Sequence, residues 1–430
     1  MGRMGRRGWT GKTLVTMALL GLPALPALAS AQIPFEQAEK DLASTDARTR
    51  LRTVQMLKEA AYPEAAIPLA RLITDPQDEV QLEAIAAELN IFFADKVVPR
   101  KRVALVIEVR TPVLAEAAFS SGPLAIGPRP VPAEVLSALR AGARDDNPRV
   151  GLESLYAFGA LAVEPGGAAR RDLLRVSGPD LAALIGAPDA AMRYAAIRVL
   201  GRVFARRAED DPIEPTVGDA VIAGLNDNGG AVKNVAIEAL GAMRYERAVQ
   251  ALTDLFQYYG KGPIAEAALD ALARIAHPAS ASLLTSQLTA KSAALRGVSV
   301  EGLARLGDRA RLTEIHAALG NERDDAVLLA EAFATAVLSN GQVDRITESL
   351  TKPKLRNQAR QYLVEIAPGR TSLLSRQLQD PEPKIRLDVV DALGLAGDPA
   401  ALPMMEPLMN DRDPQVARAA ERAIARLKKH

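Results

Sequence analysis

One short helical phrase returns eleven times along this chain, and that recurrence constrains its fold more than any other feature. Clear copies are Val232-Lys233-Asn234-Val235-Ala236-Ile237-Glu238-Ala239-Leu240-Gly241 and Ile385-Arg386-Leu387-Asp388-Val389-Val390-Asp391-Ala392-Leu393-Gly394. A branched or apolar residue opens each phrase, small or apolar residues follow four and five positions later, and another apolar one eight later. Those offsets gather the apolar side chains on one face of a 3.6-residue helix. The opening residues are Thr49, Val80, Val150, Met192, Val232, Ile264, Leu295, Leu328, Leu355, Ile385 and Val416. Their separations are 31, 70, 42, 40, 32, 31, 33, 27, 30 and 31 residues, so the array is nearly regular from Val232 onward. A period near thirty means stacked two-helix units, each of which buries its apolar faces on its neighbours.

Between the phrases lies a second helical segment, such as Pro399 to Met409 or Ala248 to Phe256. The connections into it carry Gly394, Gly397 with Asp398, and Gly307 with Asp308. Glycine supplies a left-handed helix C-cap, and proline soon afterwards starts the next helix. Turns into the phrase helix hold Asp75, Asp145, Asp227, Asp380 and Asp411, which are expected to cap amides at the helix start. The sequence thus predicts an all-α, right-handed α-α superhelix of about eleven two-helix repeats. Layers about 8–10 Å apart would extend on the order of 100 Å, with the phrase helices forming the inner surface. The charged run Arg418, Glu421, Arg422, Arg426, Lys428 and Lys429 suits a solvent-facing terminal cap.

This pattern resembles HEAT repeats of the short bacterial kind also found in phycobilisome lyases, over roughly residues 36–430 outside one insertion. The resemblance implies a ladder of acid–base pairs between units, from an Asp before the second helix and an Arg or Lys within it. Asp227 with Lys233 and Asp380 with Arg386 fit its spacing of six; Gln81 breaks it after Asp75, and Ala417 after Asp411.

The ends and composition bound the function. Arg3, Arg6, Arg7 and Lys12 precede an apolar run from Thr13 to Leu22, and Ala29-Ser30-Ala31 offers a cleavage site before Gln32. The run is short for a bilayer span, and Pro23 and Pro26 interrupt it. A cleaved signal peptide over 1–31 and a periplasmic or secreted location are expected, with no stable membrane insertion afterwards. Arg6-Arg7 also faintly resembles a twin-arginine signal. Without this segment the chain carries 49 basic and 52 acidic side chains, a balance of −3 that gives no global footprint for nucleic acid. The chain has no cysteine, so disulfides, thiolate metal sites, a thiol nucleophile and a lipoprotein anchor are excluded. The remaining divisions are repeats over 36–94, an insertion or degenerate repeat over 95–133, and the main array over 134–430.

Within the insertion, Arg102 to Arg110 reads as a strand or a buried helix, a degenerate repeat helix being favoured. The stretch Phe119 to Pro132 has four prolines and reads as an extended, partly polyproline-like loop. It serves either as a strap along the helices or as a projecting apolar element that contacts a partner through Phe119, Leu124 and Ile126. A second insertion, Ala205 to Val217, is acidic and proline-containing, and reads as a solvated loop with Glu209, Asp210, Asp211 and Glu214.

Catalytic constellations are sparse. His277, His316 and His430 are the only histidines and lie far apart, with no metal-ligand spacing. The His-Glu pairs that hold iron in some HEAT-repeat oxygenases are missing. Gly297-Val298-Ser299-Val300-Glu301-Gly302 places its second glycine one position late for a nucleophile elbow, and Ser299 fills the small core slot of Ala236 and Ala268. Gly11-Lys12-Thr13 copies only the tail of a phosphate loop. No cofactor, metal or catalytic residue is assigned.

Two surface features stand out. Six positions after the anchor, Glu238, Asp270, Glu301 and Asp391 could align as an acidic stripe that attracts a basic peptide or protein patch. Phe256, Tyr258 and Tyr259 lie beside Gly260-Lys261-Gly262 in a turn without the usual Asp, as interface anchors or as packing at a layer's end. The expected function is an exported, non-catalytic scaffold or assembly factor that binds a protein or peptide. The alternative is a phycobilisome-lyase-like or chaperone-like enzyme acting on a tetrapyrrole or modified protein, which needs a deep pocket with convergent polar groups.

Overall fold

The computed structural model describes residues 34–93, 114–163, 167–207 and 210–428. The export segment 1–31, the Arg102–Arg110 run, Glu209, Lys429 and His430 lie outside them. Every described phrase is a helix. The eleven are Ala47–Ala60, Asp78–Phe92, Pro148–Leu161, Ala190–Val203, Gly230–Met243, Pro263–Ile275, Ala293–Arg305, Asp325–Ser339, Arg356–Ile366, Pro383–Ala396 and Pro414–Leu427. They are the second helices of units 1 to 11. Leu355 sits at the N-cap of its helix rather than inside it.

First helices are shorter and often break into 3-10 turns. In unit 11 the first helix is Pro399–Ala401, Leu402–Met405 and Glu406–Asn410, where Pro403 and Pro407 withdraw backbone donors. The stretched gaps have separate causes. Unit 4 opens with an 18-residue helix, Gly167–Leu184, in place of the usual short one. The extra length before unit 5 is the connection from Phe204 to Glu214. Among the described residues, the insertion after unit 2 holds one short helix, Leu114–Ser120, and a 3-10 turn, Pro123–Ala125.

Alanine and glycine set the spacing of the stack. A β-carbon built on Gly201 would lie 2.9 Å from Ala239 Cβ, and one on Gly241 would lie 2.9 Å from Ala271 Cα. Each glycine stands nine residues after its anchor and each alanine seven after the next, so consecutive second helices touch through the same two positions. Ala236, Ala268 and Ser299 occupy equivalent core slots and are fully buried. Glycines at φ 77° (Gly307) and 74° (Gly397) cap helices or their extensions as expected.

The ladder exists but runs one unit out of phase with the expected pairs. Arg50 grips Asp75 of unit 2 at 2.6 and 2.8 Å, Arg193 grips Asp227 at 2.7 and 3.3 Å, and Arg386 grips Asp411 at 2.8 and 2.6 Å. Arg296 does the same to Glu322 at 2.6 and 2.9 Å. Gln81 takes the arginine's place and donates to Asp145 at 2.8 Å. Each of these arginines also donates through Nη1 to turn carbonyls of its own unit, as Arg386 does to Asp380 O at 2.7 Å. Asp75 and Asp411, expected to break the series, are therefore fully engaged, and Asp227 is partnered by Arg193 rather than Lys233.

The turn acids are not the helix caps either. Asp75, Asp145, Asp227, Asp380 and Asp411 each accept the amide two residues on, at 2.7–2.9 Å, which closes the turn before the helix. The cap follows two residues later where a suitable side chain exists, as with Asn147 and Asp413.

Candidate functional site

The stack curls until distant parts meet. Arg426, in the last helix, donates from Nη2 to the carbonyl of Pro123 at 2.9 Å, across 303 residues of chain. The segment around Pro123 acts as a strap. Gly127 donates to Phe92 O at 2.8 Å, and Phe93 pairs with Ile126 in an isolated antiparallel bridge. Arg198 binds Glu116 at 2.9 Å and Ser120 Oγ at 3.1 Å. Arg202 donates to the Phe119 carbonyl, with its guanidinium 3.6 Å above the Phe119 ring centroid. Phe119 and Ile126 are buried and Leu124 is half-buried, so these three do not project as an apolar element. Their side chains hold the strap down.

Strap and repeats enclose a central cavity of about 1620 Å³. Its wall comes mainly from the C-terminal ends of second helices, in line with the expected inner surface. Among the described residues the charged lining is nine arginines (129, 170, 202, 206, 207, 244, 247, 305 and 426) against two glutamates, Glu246 and Glu365. No described lysine, aspartate or histidine lines it. In the run Ala205–Val217, Asp211, Pro212, Glu214, Pro215 and Thr216 are exposed, as expected of a solvated loop, while Pro212 and half-buried Ile213 also line this wall. Its Asp210 is buried against Arg170 at 2.6 and 2.8 Å, because a buried guanidinium requires a counter-charge.

The arginines differ in what balances them. Arg305 is held by Glu365 at 2.8 and 3.1 Å and by Glu301 at 3.1 Å, and its Nη1 has no acceptor. Arg247 meets Asp219 at 2.8 Å. Arg206 donates to the Asp211 carbonyl at 2.5 Å. Arg202 and Arg426 reach only backbone carbonyls, and the Arg244 side chain makes no hydrogen bond or ion pair among the described residues. Desolvation by the cavity wall pushes the Arg202 guanidinium down to about 10, with Arg198 adding repulsion. Desolvation also lowers Arg244 and Arg426; for Arg244 the pull of Glu365 opposes the repulsion of Arg305, Arg206 and Arg274. Arg244 is open to the cavity's water, yet walled closely enough to be desolvated.

The acidic positions do not form an open stripe. Glu238 is exposed, Asp270 is half-buried against Arg274 at 2.8 Å, and Glu301 is buried under Arg305 and the Tyr362 hydroxyl. Burial holds the Glu301 carboxyl above its ordinary range. Asp391 is half-buried near Arg360 at 3.5 Å. Arg274 and Arg305 stand one helical turn beyond Asp270 and Glu301, so each pair closes on itself. Counting the same register four residues further finds Arg202, Arg274, Arg305 and Arg426, all ten after an anchor. That register is visible in the sequence itself.

Of the aromatic turn, Phe256 points into the core, and Tyr259 is half-buried with its ring edge-on to Tyr258 at 5.1 Å. Tyr258 is 82% exposed. The charged terminal run is exposed at Arg418, Glu421, Arg422 and Lys428, but Arg426 turns inward to the cavity. His277 caps a 3-10 turn, accepting from Ala279 N at 3.2 Å, and His316 lies 3.8 Å from Glu331. Among the described residues no group of His, Asp and Glu could hold a metal, and no helix is long and apolar enough to cross a membrane.

The sequence pattern described as HEAT repeats matches residues 178–258 and 346–429. No curated protein matches. Among solved structures, an engineered protein shares 19% identity over 91% of this chain and 98% of its own, with a TM-score of 0.43. Importin beta shares 12% over 91% of this chain and 62% of its own, at 0.40. The CpcE–CpcF complex of phycocyanin lyase from Nostoc sp. PCC7120 shares 19% over 58% of this chain and 94% of its own, at 0.34.

Proposed function

The chain carries HEAT repeats, and from that premise we propose that it is an exported, non-catalytic scaffold that binds a protein partner along its inner wall. The observation that carries this reading is the partly open, arginine-rich cavity, whose described charged residues hold no arrangement of nucleophile and base. Arginines spread over several units form a surface for charge-matched recognition rather than a reaction centre. The partner's charge is opposite to that expected from the acidic stripe, because Asp270 and Glu301 are already neutralised by Arg274 and Arg305. Exposed Glu238 and Tyr258 serve as accessory contacts outside the cavity. Export by a signal peptide over 1–31 completes the proposal, and blot mobility of cell fractions against a chain starting at Gln32 tests it.

Site-specific photo-crosslinking in the source cells tests where the partner sits. A photoreactive residue at Val337 or Val364, on the cavity wall, is expected to give a discrete protein adduct. The same residue at exposed Ser286 or Thr313, on the outer first helices, is expected to give none. Adducts from the outer positions alone would place the partner elsewhere. A deep cavity with converging charged groups is also what the lyase-like alternative requires, and spectral changes on incubation with candidate chromophores would favour it.

A further inference from the structure

Resting on the inner-wall reading above, we infer that the cavity receives an acidic polypeptide segment with apolar residues set among its carboxylates. Among the described residues the basic lining is arginine alone, and a planar guanidinium meets a carboxylate through two parallel hydrogen bonds. Of the two described acids on the wall, Glu246 is exposed and Glu365 is already paired. Glu365 is held by Arg305 through both oxygens and by Gln361, and it makes no hydrogen bond or ion pair with neighbouring Arg244. Arg202 and Arg426 are occupied only by strap carbonyls. Three cations are thus held against a low-dielectric wall without a carboxylate in contact, and a ligand's carboxylates would offset that cost.

Size and texture narrow the occupant. A cavity of about 1620 Å³ exceeds the roughly 300–1,000 Å³ of pockets built for a single small ligand. Half-buried Ile213, Val337 and Val364 lie on the same wall as the arginines, which suits side chains rather than a bare oxyanion. Nucleic acid would call for exposed aromatic platforms on which bases stack. The aromatic lining residues here are Tyr245 and Phe333, both buried.

Fluorescence anisotropy of the full chain with labelled twelve-residue peptides tests the inference. The probes are a Glu-Leu-Glu-Ala repeat, its Gln and Lys counterparts, and an oligothymidylate of equal length. The glutamate peptide is expected to bind, to weaken with salt, and to lose about tenfold in affinity with Arg244→Gln, as for loss of one charge-assisted hydrogen bond. Because Arg244 has no internal partner, the thermal melt of that variant should match the parent. Arg206→Gln, beside it in the cavity, supplies a second variant with the same expected direction. Equal binding of the glutamine peptide would overturn the inference, as would preference for oligothymidylate or unchanged binding in both folded variants. Displacement of the peptide by inorganic phosphate at matched ionic strength would reassign the site to a small oxyanion. Inner-wall crosslinks without binding of the glutamate peptide would sink this inference alone, whereas missing crosslinks would sink the scaffold reading beneath it.

Discussion

Each ladder arginine does two jobs at once, tying its own turn by backbone carbonyls and the next unit by a carboxylate. The spacing of acid and base was legible in the sequence, but the pairing was not. Asp75 and Arg50 lie 25 residues apart, in neighbouring units, and only the stacking brings them to 2.6 Å. A pH experiment isolates one rung. The Arg296 guanidinium leads in holding Glu322 down at about 2, aided by amides of Asp324 and Arg323, below the usual 4.5 of a glutamate. A depressed folded-state pKa contributes stability above the unfolded value and loses it as the pH falls from about 4.5 towards 2. Glu322→Gln is therefore expected to melt lower than the parent at pH 7, by about 1–3 kcal/mol for a charge-assisted pair. Thermal melts across this range should show the gap closing below about pH 4.5. A gap that stays constant with pH would mean that the rung contributes packing and not charge.

At the scale of the helix, the phrase was readable because its core positions repeat with the helical period. All eleven opening residues fall in, or at the cap of, a second helix. The acidic positions six after the anchor were visible for the same reason, yet their meaning depended on a residue one turn later. Arg274 and Arg305 convert two apparently solvent-facing carboxylates into internal pairs. Glycine carries a second hidden message, since nothing in one helix tells how closely the next approaches. In unit 5, a β-carbon on Gly241 would press on Ala271 of unit 6, whereas one on Gly230 has open space. Gly241→Val is expected to lower the thermal midpoint, by about 1–3 kcal/mol of overpacking. Gly230→Ala should raise it slightly, by about 0.4–1 kcal/mol from the unfolded chain's lost freedom. Melts followed by circular dichroism on the two variants check the pair. Equal effects would mean that the helices do not meet through this position.

At the scale of the molecule, the sequence allowed a count of units but not their path. Curvature is the sum of small rotations between units, and each depends on glycine contacts and ladder rungs that span two units. The superhelix expected to extend on the order of 100 Å instead curls back on itself, because the strap after unit 2 reaches units 10 and 11. Strap and cavity were equally illegible, since Pro123 and Arg426 come from opposite ends of the chain. Closure is also what gathers the arginines; on a straight stack they would be scattered surface charges. The chain has no cysteine, so two introduced cysteines at exposed Ser121 and Lys428 would take spin labels without competition. Electron–electron double resonance between them measures closure directly. The closed turn predicts one narrow, short distance that broadens and lengthens with Arg426→Ala. A broad distribution at long distance in the parent chain would contradict it, and with it the cavity on which the proposed function stands.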